Sequence, residues 1–571
     1  MPEANVVRSL AEELNVSTVI STILAQRGLV TYDLAKQFFR PELTQLHDPL
    51  LMRGMSEALD RIESAIARGE KIMIYGDYDV DGTTSVALTY MFFKSIHPNI
   101  DFYIPDRHLE GYGISTKGVE YAGHNGFKLI IALDCGIKSI DKVELATSLG
   151  VDFIICDHHL PGDTLPNAVA VLDPKRADCT YPYKELSGCG IGFKLIQAYA
   201  QRKGMADETW QRYMQLVAVS IASDLVHITG ENRILAFYGI RQLRKTPLPG
   251  LHAILECYMQ KEDYSVSDLV FGIGPRINAA GRLADAKHAV HVMISDSLDE
   301  ARTLAKGLNE TNDDRKHFDR SITIEALQMV AENDEEGKRS NVLYKEDWHK
   351  GVIGIVASRV IEKYYRPTVI LTASNGKAVG SARSVNGFNL YEALEKCSSE
   401  LIQFGGHQYA AGMTLEIDKV PSFQKKFEEV VASTITQRSL YPEVEYDVHV
   451  SFTDITARFY RIITQMEPFG PENMKPVFMS TNLFDAGQTR IVGNNHLKLH
   501  VKQEDCTTTF DAIGFGLGEY FGQIKAGNRF AMCYTIEENT FRDITSMQLN
   551  VKDIRIIKEH EDELWDAPEN E

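Results

Sequence analysis

Between residues 76 and 85 the chain reads Gly76-Asp77-Tyr78-Asp79-Val80-Asp81-Gly82-Thr83-Thr84-Ser85. The run at 71–75 ahead of it, with Ile72, Met73 and Ile74, reads as a short buried strand. Thr83, Thr84 and Ser85 suit a helix N-terminus, and an apolar run follows through Val86, Leu88 and Tyr90. The aspartates therefore occupy a strand-to-helix turn at the carboxyl end of a strand, where open α/β sheets bind their ligands. Alternation along an extended backbone sends Asp77, Asp79 and Asp81 roughly the same way. Like charges held that close repel, so the cluster must be paired or hold a cation. Hard divalent cations with oxygen ligands are its natural guests.

The alternation continues downstream. Strands are predicted at 72–75, 101–104, 129–133, 152–156 and 169–172, with helical stretches between them, the pattern of a mostly parallel sheet. Asp134-Cys135-Gly136 follows one strand and Asp157-His158-His159 another. A single Asp after a strand is commonly a turn residue or a helix cap. Several strand ends that each deliver a carboxylate or an imidazole predict a metal site. Beyond 210 the chain turns helical, and the apolar helix through Leu216, Val217, Val219 and Ile221 carries Asp224. That acid either caps the helix end or ligates a cation.

The rest of the chain divides in turn. Residues 1–50 read as short helices packing on the main domain, and 51–296 as the first α/β domain. The stretch 272–283 reads as a loop in which Arg276 and Arg282 either face solvent or bind phosphate. Residues 297–336 predict one long polar helix, or two abutting ones, as a strut. A second α/β domain follows at 337–436, containing Ser381, Arg383 and the glycine-rich stretch 405–412. Gly405-Gly406-His407 reads as a turn, or as a loop or helix start whose outward N–H groups meet an anion. Short alternating runs over 437–558 predict a small β-barrel, for which the OB type is one option. Residues 559–571 form an acidic tail.

Composition narrows the class. At 571 residues the chain is long enough for roughly three to five domains. Its net charge of −19 excludes a generally basic nucleic-acid coat, though a local basic groove can still serve an enzyme. The 8 cysteines include no C-x-x-C pair, which fits buried reduced thiols in a cytoplasmic protein. The opening Met1-Pro2-Glu3-Ala4 has neither the basic nor the apolar region of a signal peptide, and no stretch reads as a membrane span.

Asp77, Asp79, Asp81, Asp134, Asp157, His158, His159 and Asp224 can together supply two adjacent sites for Mn²⁺ or Mg²⁺, and the imidazole favours Mn²⁺. Such a pair serves phosphoester or phosphoanhydride hydrolysis. The sequence carries no P-loop, nucleophile elbow or H-E-x-x-H. With those readings removed, metal-assisted hydrolysis remains.

Asp157-His158-His159 together with Gly76 to Gly82 resembles the DHH phosphoesterase superfamily, and 405–412 resembles its DHHA1 companion domain. Within that superfamily the chain is similar, over nearly its whole length, to the RecJ family of single-strand-specific DNA exonucleases. Arg27-Gly28-Leu29, Asp48-Pro49-Leu50, Gly111-Tyr112-Gly113, Gly230-Glu231-Asn232-Arg233, the run from Gly274 to Arg282, and Ser381-Ala382-Arg383-Ser384 carry this likeness. The resemblance implies a DHH domain and a DHHA1 domain joined by the long helix, then an OB-like domain. It implies a two-ion exonuclease that degrades single-stranded DNA from the 5′ end to 5′-mononucleotides in recombination and repair.

By the same likeness Asp79 and Asp81 would hold different ions, with Asp134 and Asp224 shared. His158 would complete one site, Asp157 would orient His158, and His159 would contact the scissile phosphate. Where relatives place a histidine this chain has Tyr75, and Asp77 is expected to substitute as ligand. Arg276, Asn278, Arg282, Ser381, Arg383, Gly406 and His407 are the expected DNA contacts. A monomer is expected, with a single-strand-binding protein and a helicase as possible partners. Glu472 and Met474 stand where the OB segment usually has glycine and proline, and His227 where a proline usually follows the Asp224 helix. Two other classes share the fold: a phosphodiesterase for short oligonucleotides or cyclic dinucleotides, and a non-catalytic replication scaffold.

Overall fold

The computed structural model describes residues 2–557 apart from 260, 262, 334–336, 505 and 542–543. The acidic tail 559–571 and the last residues, 334–336, of the stretch expected as a strut lie outside the described residues. The described chain forms two compact units, one built from 48–224 and 238–443, the other from the remainder.

The first unit begins with strands β1 (Lys71–Gly76), β2 (Ile100–Tyr103), β3 (Phe127–Leu133), β4 (Asp152–Cys156) and β5 (Ala170–Leu172). They form one parallel sheet in the order β2-β1-β3-β4-β5. Helices cover both faces of such a sheet, so its inner strands must be apolar on both sides. Ile72–Tyr75, Leu129–Leu133 and Phe153–Cys156 are accordingly buried without alternation. The carboxyl ends of β1, β3 and β4 lie side by side in this order. That adjacency turns three separate sequence motifs into one site.

The 35-residue helix Leu298–Glu332 leads to the second sheet, and it is continuous, started by the Ser297 side chain capping Glu300 N–H. Its buried positions recur every three to four residues along one stripe, from Ala301 to Val330. The C-terminal half is more than a strut. Ile322, Ala326 and Val330 pack with Trp348, Val352, Val356 and Ile370 in one core.

The second sheet comprises β6 (Asn341–Tyr344), β7 (Thr368–Ser374), β8 (Lys377–Arg383), β9 (Gln403–Gly406) and β10 (Ala410–Leu415), in the order β6-β7-β8-β10-β9. Only β6 and β7 run parallel. The glycine-rich stretch 405–412 is thus a turn between strands and not a helix start. It is the tip and arms of an antiparallel hairpin, in which His407 N–H donates to Ala410 C=O at 2.8 Å. The stretch 274–283 likewise is a helix, Gly274–Leu283, where a loop was expected.

The other unit contains β11 (Val448–His449), β12 (Phe478–Asp485), β13 (Arg490–Val492), β14 (His496–Gln503), β15 (Thr509–Gly514), β16 (Phe530–Phe541) and β17 (Ile544–Ile556). Pairing of β12 with β14 closes the circuit β12-β16-β17-β15-β14 on itself, an OB-like arrangement. The N-terminal helices belong here, not on the catalytic domain as expected. Ile20, Ile23 and Leu24 are buried in one core with Phe452, Phe459, Phe478 and Tyr534. Arg233 ties this unit together by donating to the carbonyls of Phe38, Met466, Glu467 and Pro468. Arg27 donates to Asn473 Oδ1 and to Met474 C=O. Among the described residues no helix is long and apolar enough to cross a membrane.

Candidate active site

His158 stands at the centre. Its Nε2 lies 3.1 Å from Asp134 Oδ1, 3.6 Å from Asp224 Oδ2 and 3.7 Å from Asp81 Oδ2. Asp81, His158 and Asp224 form one group able to hold a metal ion, and Asp134, His158 and His159 form another. The groups share His158, so the two candidate sites adjoin. The acids arrive from different elements: Asp81 from the first turn after β1, Asp134 from the end of β3, and Asp224 from the last residue of helix Met214–Asp224. Asp224 therefore cannot act as an N-cap, and its side chain faces the cluster.

The electrostatics match a site awaiting cations. Burial, then repulsion from Asp81, Asp79 and Asp224, pushes Asp134 far above the ordinary carboxylate range. Burial, then Asp81 and Asp79, raises Asp224 to about 8. Asp134 also holds a left-handed backbone at φ 59°, a setting that costs a non-glycine residue about 1–3 kcal/mol and clusters at functional sites. His158 Nδ1 is buried without a hydrogen-bond partner among the described residues, and Asp134 Oδ1 meets His158 Nε2 alone. Crowded oxygen donors with one imidazole fit Mn²⁺ or Mg²⁺.

Asp79 caps helix Val80–Lys94 through Oδ1, which accepts from Gly82 N–H at 2.9 Å. It stays electrostatically within the cluster, since its charge raises both Asp134 and Asp224. Asp77 is differently employed. Its Oδ1 accepts from Gly113 N–H at 3.2 Å, and it belongs to neither metal-binding group. Tyr75, buried and stacked on Tyr103, donates its hydroxyl to Gly113 C=O at 3.1 Å. The end of β1 thus grips the Gly111-Tyr112-Gly113 loop by both backbone groups of Gly113.

Asp157 holds the ring of His159, and holds His158, whose ring it was expected to orient, by the backbone N–H alone. Its Oδ1 lies 2.7 Å from His159 Nδ1 and also accepts the N–H groups of His158 and His159, while Oδ2 accepts from Ile137 N–H. Burial alone would raise Asp157, but the His159 bond and these N–H groups outweigh it and hold it below the usual carboxylate value. Burial would lower His159, but Asp157 reverses that and raises it. Burial lowers His158, keeping it neutral and able to ligate. The far side of His159 meets Tyr112, whose hydroxyl lies 3.1 Å from Nε2.

The expected DNA contacts divide. Arg276 is buried, and its guanidinium is committed to Gly272 C=O, Cys257 C=O and Asn309 Oδ1, so it is an internal brace rather than a DNA contact. Asn278 is half-buried on the same helix. Arg282 is different: burial, then repulsion from Arg107, Arg315 and Arg383, lowers it to about 10. Cations from the first sheet's loops, the long helix and β8 therefore converge around it. Arg383 reaches Ser381 Oγ at 3.0 Å on β8. Gly406 sits at the hairpin end with φ 147°, where a side chain would collide with the Ala410 and Ala411 backbone. His407 is exposed beside it.

Several participants escaped the sequence reading. Asp81 is held by Gly188 N–H, Cys189 N–H and Ser220 Oγ, each at 2.7 Å. The run Ser187-Gly188-Cys189-Gly190, a cap followed by small residues, was an available signal. Asp173 ends β5 as Asp134 ends β3. It is buried, Oδ1 accepts from Lys175 N–H at 2.7 Å, and burial pushes it up to about 7. The rule used for the other strand ends would have found it.

Comparison with known proteins agrees with this geometry. Residues 71–221 match the DHH family N-terminal domain, 338–433 the DHHA1 domain and 446–553 the RecJ OB domain. The single-stranded-DNA-specific exonuclease RecJ of Bacillus subtilis is 36% identical over 559 residues, covering 97% of this chain and 70% of that protein. The enzyme of the same name from Escherichia coli is 34% identical over 527 residues, covering 88% of this chain and 90% of its own. The crystal structure of RecJ in complex with Mn²⁺ from Thermus thermophilus superposes with a TM-score of 0.83 at 25% identity, covering 98% of this chain and 79% of that one.

Proposed function

The chain belongs to the RecJ family of single-stranded-DNA-specific exonucleases, and from that membership we propose a metal-dependent enzyme that removes 5′-mononucleotides from single-stranded DNA in the 5′→3′ direction. The protein is an exonuclease of the DHH class that takes Mn²⁺ or Mg²⁺. The observation that carries the reading is His158 Nε2 lying within 3.7 Å of carboxylate oxygens from Asp81, Asp134 and Asp224. Asp81, Asp134, His158 and Asp224 would hold the ions, with Asp79 alongside. When bound, the ions supply a nucleophile at neutral pH and a counter-charge for the developing phosphorane.

The protein's own groups do the rest. His159, held by Asp157 at Nδ1 and beside the Tyr112 hydroxyl at Nε2, is the group we assign to contact the scissile phosphate and carry a proton. Arg282, Arg107 and Arg383 grip flanking phosphates, because crowded guanidinium groups gain most from a polyanion. This basic cluster lies in a chain of net charge −19, so it is the local cluster and not the chain as a whole that attracts the polyanion. Work in DNA recombination and repair, in the cytoplasm, follows from the same reading, as do a monomeric state and meetings with a single-strand-binding protein and a helicase.

The test is incubation with Mn²⁺ and a 5′-labelled long single strand, a duplex or a dinucleotide. Release of labelled mononucleotide from the long strand alone is expected. Cleavage of the dinucleotide alone would make the chain a short-substrate phosphodiesterase, and no product from any substrate would make it a scaffold. Asp134→Ala should abolish cleavage and retain DNA binding; normal cleavage by that variant would sink the ligand assignment.

A further inference from the structure

We propose that Ser220 is a positioning residue that fixes which oxygen of Asp81 faces the metal, acting with the start of helix Gly188–Arg202. This rests on the metal-site reading above. Ser220 Oγ lies 2.7 Å from Asp81 Oδ1 and 2.7 Å from Ser187 Oγ, and all three residues are buried. A carboxylate only accepts, so the single Ser220 proton goes to Asp81. Ser187 Oγ lies on the other side of the Ser220 hydroxyl and accepts from Gly190 N–H at 3.1 Å, so Gly190, Ser187 and Ser220 form one buried hydrogen-bonded run that ends on Asp81. Gly188 N–H and Cys189 N–H add donors to Oδ2 and Oδ1 at 2.7 Å each.

The result is asymmetric. Oδ1 accepts from both Cys189 and Ser220, which occupies its lone pairs. Oδ2 accepts only from Gly188 among these donors and is the oxygen that faces His158 Nε2 at 3.7 Å. Asp81 is therefore set to bind through one oxygen, and turning its carboxylate would break the bracket.

Ser220 also registers the other ligands. It stands four residues before Asp224 on helix Met214–Asp224, and residues at that spacing share one helix face. The hydroxyl that fixes Asp81 thus fixes the height of Asp224 over the same group. Gly188, the neighbouring donor, packs so closely on Asp134 that a Cβ there would lie 2.6 Å from Asp134 Cβ. Asp81, Asp134 and Asp224 are indexed to one bracket, made of residues with no reach to substrate.

The experiment is direct Mn²⁺ binding to the full chain, by calorimetry or the electron spin resonance of free Mn²⁺, alongside melting of the metal-free protein. Ser220→Ala should weaken Mn²⁺ binding about ten- to a hundredfold, the range for losing the hydrogen-bond support of a ligand. Excess Mn²⁺ should restore most of kcat, and Ser220→Thr, which keeps the hydroxyl, should bind more tightly than Ser220→Ala. Ser187→Ala should lower the melting temperature through the lost cap while weakening Mn²⁺ less than Ser220→Ala does. Wild-type Mn²⁺ affinity in Ser220→Ala overturns the proposal, as does a loss of activity that excess Mn²⁺ leaves unrepaired. Failure of the wild type to bind Mn²⁺ would instead refute the metal-site reading itself.

Discussion

Replacing Asp77 by asparagine separates a metal ligand from a loop anchor. The side chain is buried, Oδ1 accepts from Gly113 N–H, and Oδ2 has no hydrogen-bond partner among the described residues. Burial, then repulsion from Asp79, pushes this carboxyl from 3.8 up to about 8. The sign follows from proton counts. The unfolded chain ionises near pH 4 and the folded one only near pH 8, so between these values the folded state binds more protons and loses stability as pH rises. At about 1.4 kcal/mol per unit, the cost in metal-free protein approaches roughly 4 kcal/mol at pH 7. Asparagine keeps an acceptor for Gly113 and carries no charge. Asp77→Asn in EDTA should therefore melt several degrees higher than wild type at pH 7.5, with the gain shrinking toward pH 4. With Mn²⁺ it should keep activity within about tenfold, because the anchor survives. Asp77→Ala should lose more activity than Asp77→Asn, since Gly113 and with it Tyr112 are released. Abolished cleavage in Asp77→Asn with no gain in metal-free stability would refute this reasoning and return Asp77 to the ligands.

Gly188→Ala puts a methyl 2.6 Å from Asp134 Cβ, and should cost about 1–3 kcal/mol of stability by overpacking and weaken Mn²⁺-dependent cleavage by roughly a hundredfold; unchanged kinetics would mean that the bracket yields without moving the ligands. Arg282→Ala should raise KM for single-stranded DNA and flatten its salt dependence, whereas Arg276→Ala should lower the melting temperature with the salt slope unchanged. The reverse pattern, read from binding titrations at several salt concentrations, would exchange their roles. His159→Gln should cut kcat by about a hundred- to ten-thousandfold while Mn²⁺ binding stays near wild type, and a large loss of Mn²⁺ affinity would make His159 a ligand instead.

Asp81, Asp134 and Asp157 were legible in the sequence because each follows a strand end, where a local pattern of apolar residues announces its position, whereas Asp224 ends an apolar helix and was left between a cap and a ligand. The parallel sheet then aligns those ends without further instruction. Partners distant in sequence were not legible. Ser220 reaches Asp81 across 139 positions, and an apolar helix offers no sign that one hydroxyl has such a target. Arg276 misled for a related reason: a guanidinium fork satisfies backbone carbonyls as well as phosphate, and only burial tells the two apart. Gly405 and Gly406 read as a loop because glycine weakens strands, yet the hairpin needs glycine where the Ala410 and Ala411 backbone leaves no room for a Cβ. The apolar stripe of the N-terminal helices was visible, but not that Phe452 and Phe478, more than four hundred positions away, would cover it.

The chain leaves the catalytic unit immediately after Asp224, contributes 225–237 to the β-rich unit, and returns at Tyr238. Neither unit is a continuous stretch of polypeptide, so neither can be exchanged between proteins as a cassette. A gene cut before Val444 would strand Ile20, Ile23 and Leu24 without their core and leave Arg233 without the carbonyls of Met466, Glu467 and Pro468. Recombination at the apparent domain border is thereby penalised. The residue that ends one unit's share of the chain is also a proposed metal ligand, so any insertion tolerated at that crossing must leave Asp224 in register.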